Sequence, residues 1–341
     1  MKQDVIELDG VIGGGQVLRS GVSLSMVTGR TLLIRNIRAK RSRPGLMRQH
    51  LTAVLAAAEV CSARVEGAEL GSQTLLFTPG PIQGGDYRFV IGTAGSCTLV
   101  LQTLLPALLR ATVASRVTIC GGTHNPLAPP VDFLQRAWLP LLRRMGARVE
   151  LSLVRHGFVP AGGGELQAFI QPGELVPLHL MQRGKLLDAR ATTLNAGLPA
   201  QVGERQLKRA RQRLGLSPAQ VFAVEIDPDH GPGNVLMLEY AHEHLTEVFS
   251  AFGMARVRAE SVADEAINQL LEWQRSDATV GEHLADQLLL PMALAGGGSF
   301  TTARMSEHLQ SSMAVIRRFL PVVIDSHAQD EGVLTVECRA L

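Results

Sequence analysis

Apolar and polar positions follow two periods in this chain, and the two keep changing places. "VIEL" is a short apolar run that leads into three glycines and then into the apolar-periodic "QVLRSGVSLSMV". That is the layout of a loop whose backbone approaches a phosphate at a helix start. The loop fits neither G-x-x-x-x-G-K-[ST] nor G-x-G-x-x-G, and no acid stands among Gly13, Gly14 and Gly15. Farther on, "GLMRQHLTAVLAAAEV" predicts a helix opened by Pro44, proline being favoured at the first helical position. "SRVTICGG" predicts a strand, "VDFLQRAWLPLLRRMG" a helix closed by Gly146, and "ARVELSLV" a strand again. Helices and strands that interleave in this way make an α/β or α+β chain.

Glycine triplets recur at Gly13–Gly15, Gly162–Gly164 and Gly296–Gly298. Their spacing is too wide for a solenoid and suits a few copies of one α/β unit with insertions. Residues 183–275 differ in character. They carry more charge, as in "GERQLKRARQRLG", and turn signals of their own, as in "IDPDHGPGN". They are expected to form a smaller inserted domain.

Composition narrows the class. Of 341 residues, 46% are apolar and 19% charged, enough for a packed core. A net charge of +2 makes any nucleic-acid footprint a local one. No apolar run is long enough to span a bilayer, and "MKQDVIELD" has no signal-peptide core, so a cytoplasmic protein is expected. Cys61, Cys97, Cys120 and Cys338 are scattered and read as reduced core thiols.

Four stretches could carry chemistry. "RNIRAKRSRPGLMRQH" gathers Arg35, Arg38, Lys40, Arg41, Arg43 and Arg48, which read either as phosphate-binding forks or as a solvated loop. In "GTAGSCTLVLQTLLPALLRA", Gln102 is the one long polar side chain of an apolar helix; it either bonds neighbouring backbone or reads a ligand edge. "GGTHNPLAPPVDF" is a loop stiffened by Pro129 and Pro130, a face for a nucleobase or merely a shaped turn. In "RMSEHLQSSMAVIRRFL", Ser306 is a candidate N-cap before an apolar stripe, which puts His308 in the first helical turn. The positive end of a helix keeps an imidazole neutral, and a neutral imidazole is a nucleophile; an ordinary surface histidine fits the pattern too.

Together, "RHGFVPAGGGEL" (155–166), "PGLMRQHLTAV", "GTAGSCTLVLQTLLPALL", "GGTHNPLAPPVDF" and "HLADQLLLPMALAGGGSF" resemble blocks of the RNA 3′-terminal phosphate cyclase family, in that family's order, over about residues 5–337. The first is the strongest match, to a signature of Arg or His before Gly, then Pro, then three glycines. The resemblance implies a large domain of three repeated units, each a four-stranded sheet with two helices, and a smaller inserted α/β domain. On this chain the large domain would take residues 1–182 and 276–341, and the insert residues 183–275. The enolpyruvyl transferases share this fold, so fold alone leaves the reaction open.

The resemblance also implies chemistry: ATP-dependent conversion of an RNA 3′-terminal phosphate to a 2′,3′-cyclic phosphodiester, through a covalent histidine–AMP and an RNA adenylate. Such an enzyme is a ligase of RNA processing. It uses ATP and a divalent metal, Mg²⁺ or Mn²⁺, on RNA with a 3′-terminal phosphate, with no membrane and no obligate protein partner. His308 falls at the family's nucleophile position. Gln102, His283, Leu284, Ala285, Asp286 and Gln287 fall at ATP-binding positions, and Pro130 matches a proline that packs on adenine. Gln16, Arg38, Arg41 and Gln49 match positions near the phosphates. Three positions depart. The family's loop "DG-x-x-GEGGGQ" is here "DGVIGGGQ", two residues shorter and without the glutamate that helps hold the metal, so the metal ligands are unassigned. His283 stands where tyrosine is common, and His124 where aspartate is common. The competing reading is an RNA-binding relative with impaired catalysis, acting in RNA processing or ribosome biogenesis. That branch lacks the nucleophilic histidine, and His308 favours the enzyme.

Overall fold

A computed structural model describes residues 5–11, 13–328 and 332–341. Three of its sheets repeat one topology. The first unit runs β1 (Val5–Asp9), α1 (Gly15–Thr28), β2 (Thr31–Arg35), α2 (Arg48–Val60), β3 (Arg64–Glu66) and β4 (Leu75–Thr78), with sheet order β1-β2-β4-β3. The second runs β5 (Asp86–Val90), α3 (Cys97–Leu108), β6 (Ser115–Gly121), α4 (Val131–Phe133), α5 (Leu139–Arg144), β7 (Arg148–Arg155) and β8 (Gly164–Gln171), with order β5-β6-β8-β7.

The third unit opens with β9 (Leu178–Leu180). The chain then leaves it for β10 (Leu186–Ala196), α6 (Gln201–Leu214), β11 (Val221–Ile226), β12 (Gly233–His242), β13 (Thr246–Phe252) and α7 (Ala259–Arg275). It returns as α8 (Glu282–Leu294), β14 (Gly297–Thr302), α9 (Glu307–Phe319), β15 (Val322–Ala328) and β16 (Leu334–Ala340), giving the order β9-β14-β16-β15. In all three units the first pair of strands is parallel and bridged by a helix, and the other pairs are antiparallel. A parallel pair needs such a crossover, whereas an antiparallel pair, such as β3 with β4, can close through a turn. The fourth sheet, β11-β10-β12-β13, lies wholly between β9 and α8 in sequence.

One apolar cluster runs through the three units, from Leu24 and Ile34 through Leu104 and Ile119 to Leu288 and Phe300. It takes in Leu194, Val235 and Val248 from one face of the fourth sheet. A second cluster, with Leu207, Leu236, Ile267 and Trp273, fills the space between that sheet's other face and α6 and α7. β12 is therefore buried on both faces, which is why it carries the unbroken apolar run "VLML".

The glycine triplets do not mark equivalent places in the units. Gly13–Gly15 turn β1 into α1, Gly162–Gly164 close the β7–β8 hairpin, and Gly296–Gly298 join α8 to β14. The repeat is written instead in α3 and α8, the first helices of their units. Gln102 precedes Pro106 by four residues, and Gln287 precedes Pro291 by four. Pro44 does not open α2, which starts at Arg48 after an N-cap at Met47. Backbone bonds from Gly45 N to Ile37 O and from Leu46 N to Ser72 O hold the intervening residues in an irregular segment. The helix expected over residues 131–146 widens into a π-turn at Leu134–Trp138, and the Trp138 indole donates to the backbone carbonyl of Gln287.

Candidate active site

Five helices and one loop bring the candidate residues together. In α9, Ser306 is the N-cap, and its hydroxyl accepts from Leu309 N at 3.0 Å. Leu309, Met313, Val315 and Ile316 bury the stripe beneath it. Glu307 at the start and Arg317 and Arg318 at the end complement the helix dipole. His308 is left on the exposed side of the first turn. Its Nδ1 pairs with Gln16 Oε1 of α1, and Gln16 Nε2 donates to Ser312 Oγ of α9 at 2.6 Å. The amide nitrogen is committed to Ser312, so the amide oxygen faces the ring and His308 Nδ1 carries the proton. The lone pair then sits on Nε2.

Electrostatics keep that ring neutral. Partial desolvation, then the positive charge of Arg19, then His283 and Arg41, hold the His308 imidazole below its ordinary value against the pull of Glu282. Arg19 lies one turn along α1 from Gln16. Burial brings its guanidinium down to about 10, opposed by Asp286. Asp286 on α8 is pushed up to about 8 by burial, opposed by Arg19, and its buried Oδ1 has no hydrogen-bond partner. His50 on α2 accepts from Met47 N through Nδ1 and is driven down to about 3 by burial and by Arg19 and Arg38.

The first glycine loop is explained by this packing. Gly13 and Gly14 have φ of 78° and 53°, conformations an L side chain rarely adopts. A Cβ at Gly15 would lie 2.5 Å from His50 Nε2 and 3.1 Å from Arg19 Nη1. The bare backbone lets an imidazole and a guanidinium close over the start of α1. Ile12 of this loop lies outside the described residues.

Gln102 and Gln287 hydrogen-bond each other through their side-chain amides, at 2.5 Å. Gln102 thus bonds a side chain across two units rather than neighbouring backbone. Leu284 and Ala285 are buried and seat α8 in the core; His283 is exposed at its first turn. Arg41 is exposed, within 3.7 Å of where a Cβ on Gly14 would stand. Other candidates are bound elsewhere. Arg38 donates to the carbonyls of Arg43 and Gly45 at 2.8 Å and braces its own loop. Gln49 accepts from Ser96 N at 2.9 Å and ties α2 to the N-cap of α3. Pro130 is buried as the N-cap of α4.

Arg19 and His50 were not singled out in the sequence. The spacing of Arg19 from Gln16 on one face of α1 was the available signal; His50 gave none, being one residue among many in a basic stretch. Among the described residues no three or more His, Cys, Asp and Glu side chains are grouped to hold a metal, and no helix is long and apolar enough to cross a membrane. The four cysteines are free thiols.

The strongest family signature, "RHGFVPAGGG", lies away from His308 in sequence and packs backbone on backbone. A Cβ on Gly162 would lie 2.9 Å from Ala94 Cα, and one on Gly157 would lie 2.4 Å from Gly164 N. The signature locks the β7–β8 hairpin against the loop that starts α3. His124 in the adjacent loop is buried, paired to Asp132 at 2.9 Å and stacked on His156.

Comparison with known proteins gives the same family as the motifs. Residues 11–326 match the family described as RNA 3′-terminal phosphate cyclase. A Pseudomonas fluorescens protein named RNA 3′-terminal phosphate cyclase is 71% identical over 341 residues, covering all of both chains. Proteins of that name from Pseudomonas aeruginosa and Salmonella enteritidis are 61% and 52% identical, each over 97% of this chain and 97% and 98% of their own. Among solved structures, the enolpyruvyl transferase NikO from Streptomyces tendae is similar over 97% of this chain and 47% of its own, at 11% identity and a TM-score of 0.36.

Proposed function

The chain belongs to the RNA 3′-terminal phosphate cyclase family, and we propose that it converts an RNA 3′-terminal phosphate to a 2′,3′-cyclic phosphodiester with ATP, through AMP carried on His308. The observation that supports this most is the His308–Gln16–Ser312 chain, which fixes the tautomer with a lone pair on Nε2.

Nε2 attacks the α-phosphorus of ATP; an N–P bond forms and pyrophosphate leaves. An oxygen of the RNA 3′-phosphate then takes the AMP, and the histidine is released. The 2′-hydroxyl attacks the RNA phosphorus, AMP leaves, and the hydroxyl proton passes to solvent. A 3′-phosphate lacks a good leaving group, and adenylylation supplies one while positioning supplies much of the remaining rate.

Arg19 and Arg41 are the guanidinium groups whose charge is felt at His308, and they are suited to the α-, β- and γ-phosphates. The Gln102–Gln287 pair, Asp286 with its unsatisfied Oδ1, exposed His283 and Pro130 are assigned to the nucleoside. The described carboxylates build no metal cage, so a Mg²⁺ or Mn²⁺ ion enters this reading with the nucleotide phosphates, and no step is drawn through it. RNA ending in a 3′-phosphate is the partner.

The test is incubation with ATP, Mg²⁺ and an RNA whose 3′-phosphate is labelled. The expected product resists phosphatase and opens with acid to a mixture of 2′- and 3′-phosphates. Label that stays phosphatase-sensitive at every ATP level would contradict the proposal.

A further inference from the structure

α8 carries His283, Asp286 and Gln287, yet its own N-terminus lacks a side-chain cap. Gly281 is the N-cap, and it makes no such bond. The fourth sheet instead holds the N-cap residue itself. Glu247 of β13 is 2% exposed, and its Oε1 accepts from Gly281 N at 2.5 Å. A Cβ on Gly281 would stand 3.2 Å from that oxygen, so a glycine leaves the carboxyl its place.

The residues before α8 are pinned on the other side. Thr279 N donates to Thr301 Oγ1 at 2.8 Å, and Val280 N to Thr301 O at 3.0 Å. Arg183, in the irregular segment between β9 and β10, holds the chain after α7 through the carbonyls of Trp273, Ser276 and Ala278, and its guanidinium lies 3.9 Å over the Trp273 ring. The first turn of α8 thus hangs between β14 and Glu247.

We propose that Glu247 is a positioning residue for ATP: it anchors the N-cap residue of α8 from the inserted sheet and so sets where His283, Asp286 and Gln287 meet the nucleotide. This rests on the reading of α8 as an ATP-binding helix. Loss of this anchor frees the start of α8 and shifts the Gln287–Gln102 pair, while His308 and Gln16, on α9 and α1, keep their geometry. The effect therefore falls on ATP binding and not on the attack.

The test is a titration of histidine–AMP formation in the full chain with α-labelled ATP, for the parent and for Glu247→Ala, Glu247→Asp and Glu247→Gln. Glu247→Ala is expected to raise the ATP concentration for half-maximal labelling about tenfold, the scale of one lost hydrogen bond, with the saturated rate within about twofold. Glu247→Gln keeps an acceptor at the same reach and is expected to restore the parent value. Half-saturation unchanged in the Ala variant, or a loss confined to the saturated rate, overturns the proposal.

If the Ala variant does not fold, the other two decide. Half-saturation at least threefold higher for Asp, whose carboxyl is drawn back by one methylene, than for Gln supports positioning, and a smaller ratio overturns it. A parent that takes no label removes the ATP reading of α8 and this inference with it. A parent that labels beside variants that titrate like it removes this inference alone.

Discussion

The charge at His308 is set by packing: Gly15 lets Arg19 and His50 approach α1, and Arg19 is the largest charge acting on the His308 ring. That arrangement makes a signed prediction. Arg19 disfavours the imidazolium, so the acid limb of the labelling rate in the parent lies below pH 6.5, the ordinary histidine value. Arg19→Gln removes the charge, raises the His308 value and moves the limb toward higher pH. An unmoved limb in a variant that melts like the parent would show that Arg19 does not act on His308. Arg41→Ala should raise the ATP requirement, since a charge-assisted bond to phosphate contributes about 1.5–3 kcal/mol. Unchanged ATP dependence would make it a solvated arginine.

Among the elements, the apolar pattern predicts α9, but not the start of α2 or the π-turn before α5. Periodicity reports which face is buried; it does not report that Gly45 and Leu46 are pinned by bonds to Ile37 and Ser72 before the helix begins. Gln102 stood out as a polar residue in an apolar helix, but its partner is 185 residues away and only the repeated Gln-x-x-x-Pro pattern pointed to it. The start of α9 can be tested by Ser306→Ala, which should cost about 1 kcal/mol of stability by unfolding in denaturant. Labelling should fall alongside, because His308 lies in the turn that Ser306 caps. Full labelling with that loss of stability would mean the cap serves folding only. Gly15→Ala should weaken labelling more than stability, because the added methyl displaces His50 and Arg19, and intact labelling would contradict the role given to this loop.

For the whole molecule, the three-unit topology came from resemblance and is seen in the sheet orders, while the glycine triplets that suggested it sit in unrelated turns. A triplet can serve a turn, a hairpin or a close backbone contact, so its spacing says little about topology. Buried titrating groups also set the stability of the whole chain against pH. Glu247 is raised to about 8 by burial, with Arg183 facing it and Glu272, Glu282, His283 and Arg304 lining the same recess. Unfolded, this carboxyl would lose its proton near 4.5; folded, it keeps it, so its contribution to stability is lost as pH rises from 4.5 toward 8. Glu247→Gln has no such proton, and its melting temperature relative to the parent should be higher at pH 8 than at pH 5.5. A difference independent of pH would contradict the burial assigned to this group. The central claim is that one imidazole, His308, carries AMP. It is tested most directly by incubating the protein with α-labelled ATP and Mg²⁺, digesting it, and mapping the acid-labile label. The expected result is label on the peptide containing His308 in the parent and none in a folded His308→Ala variant; label on any other residue, or label that persists in that variant, would contradict it.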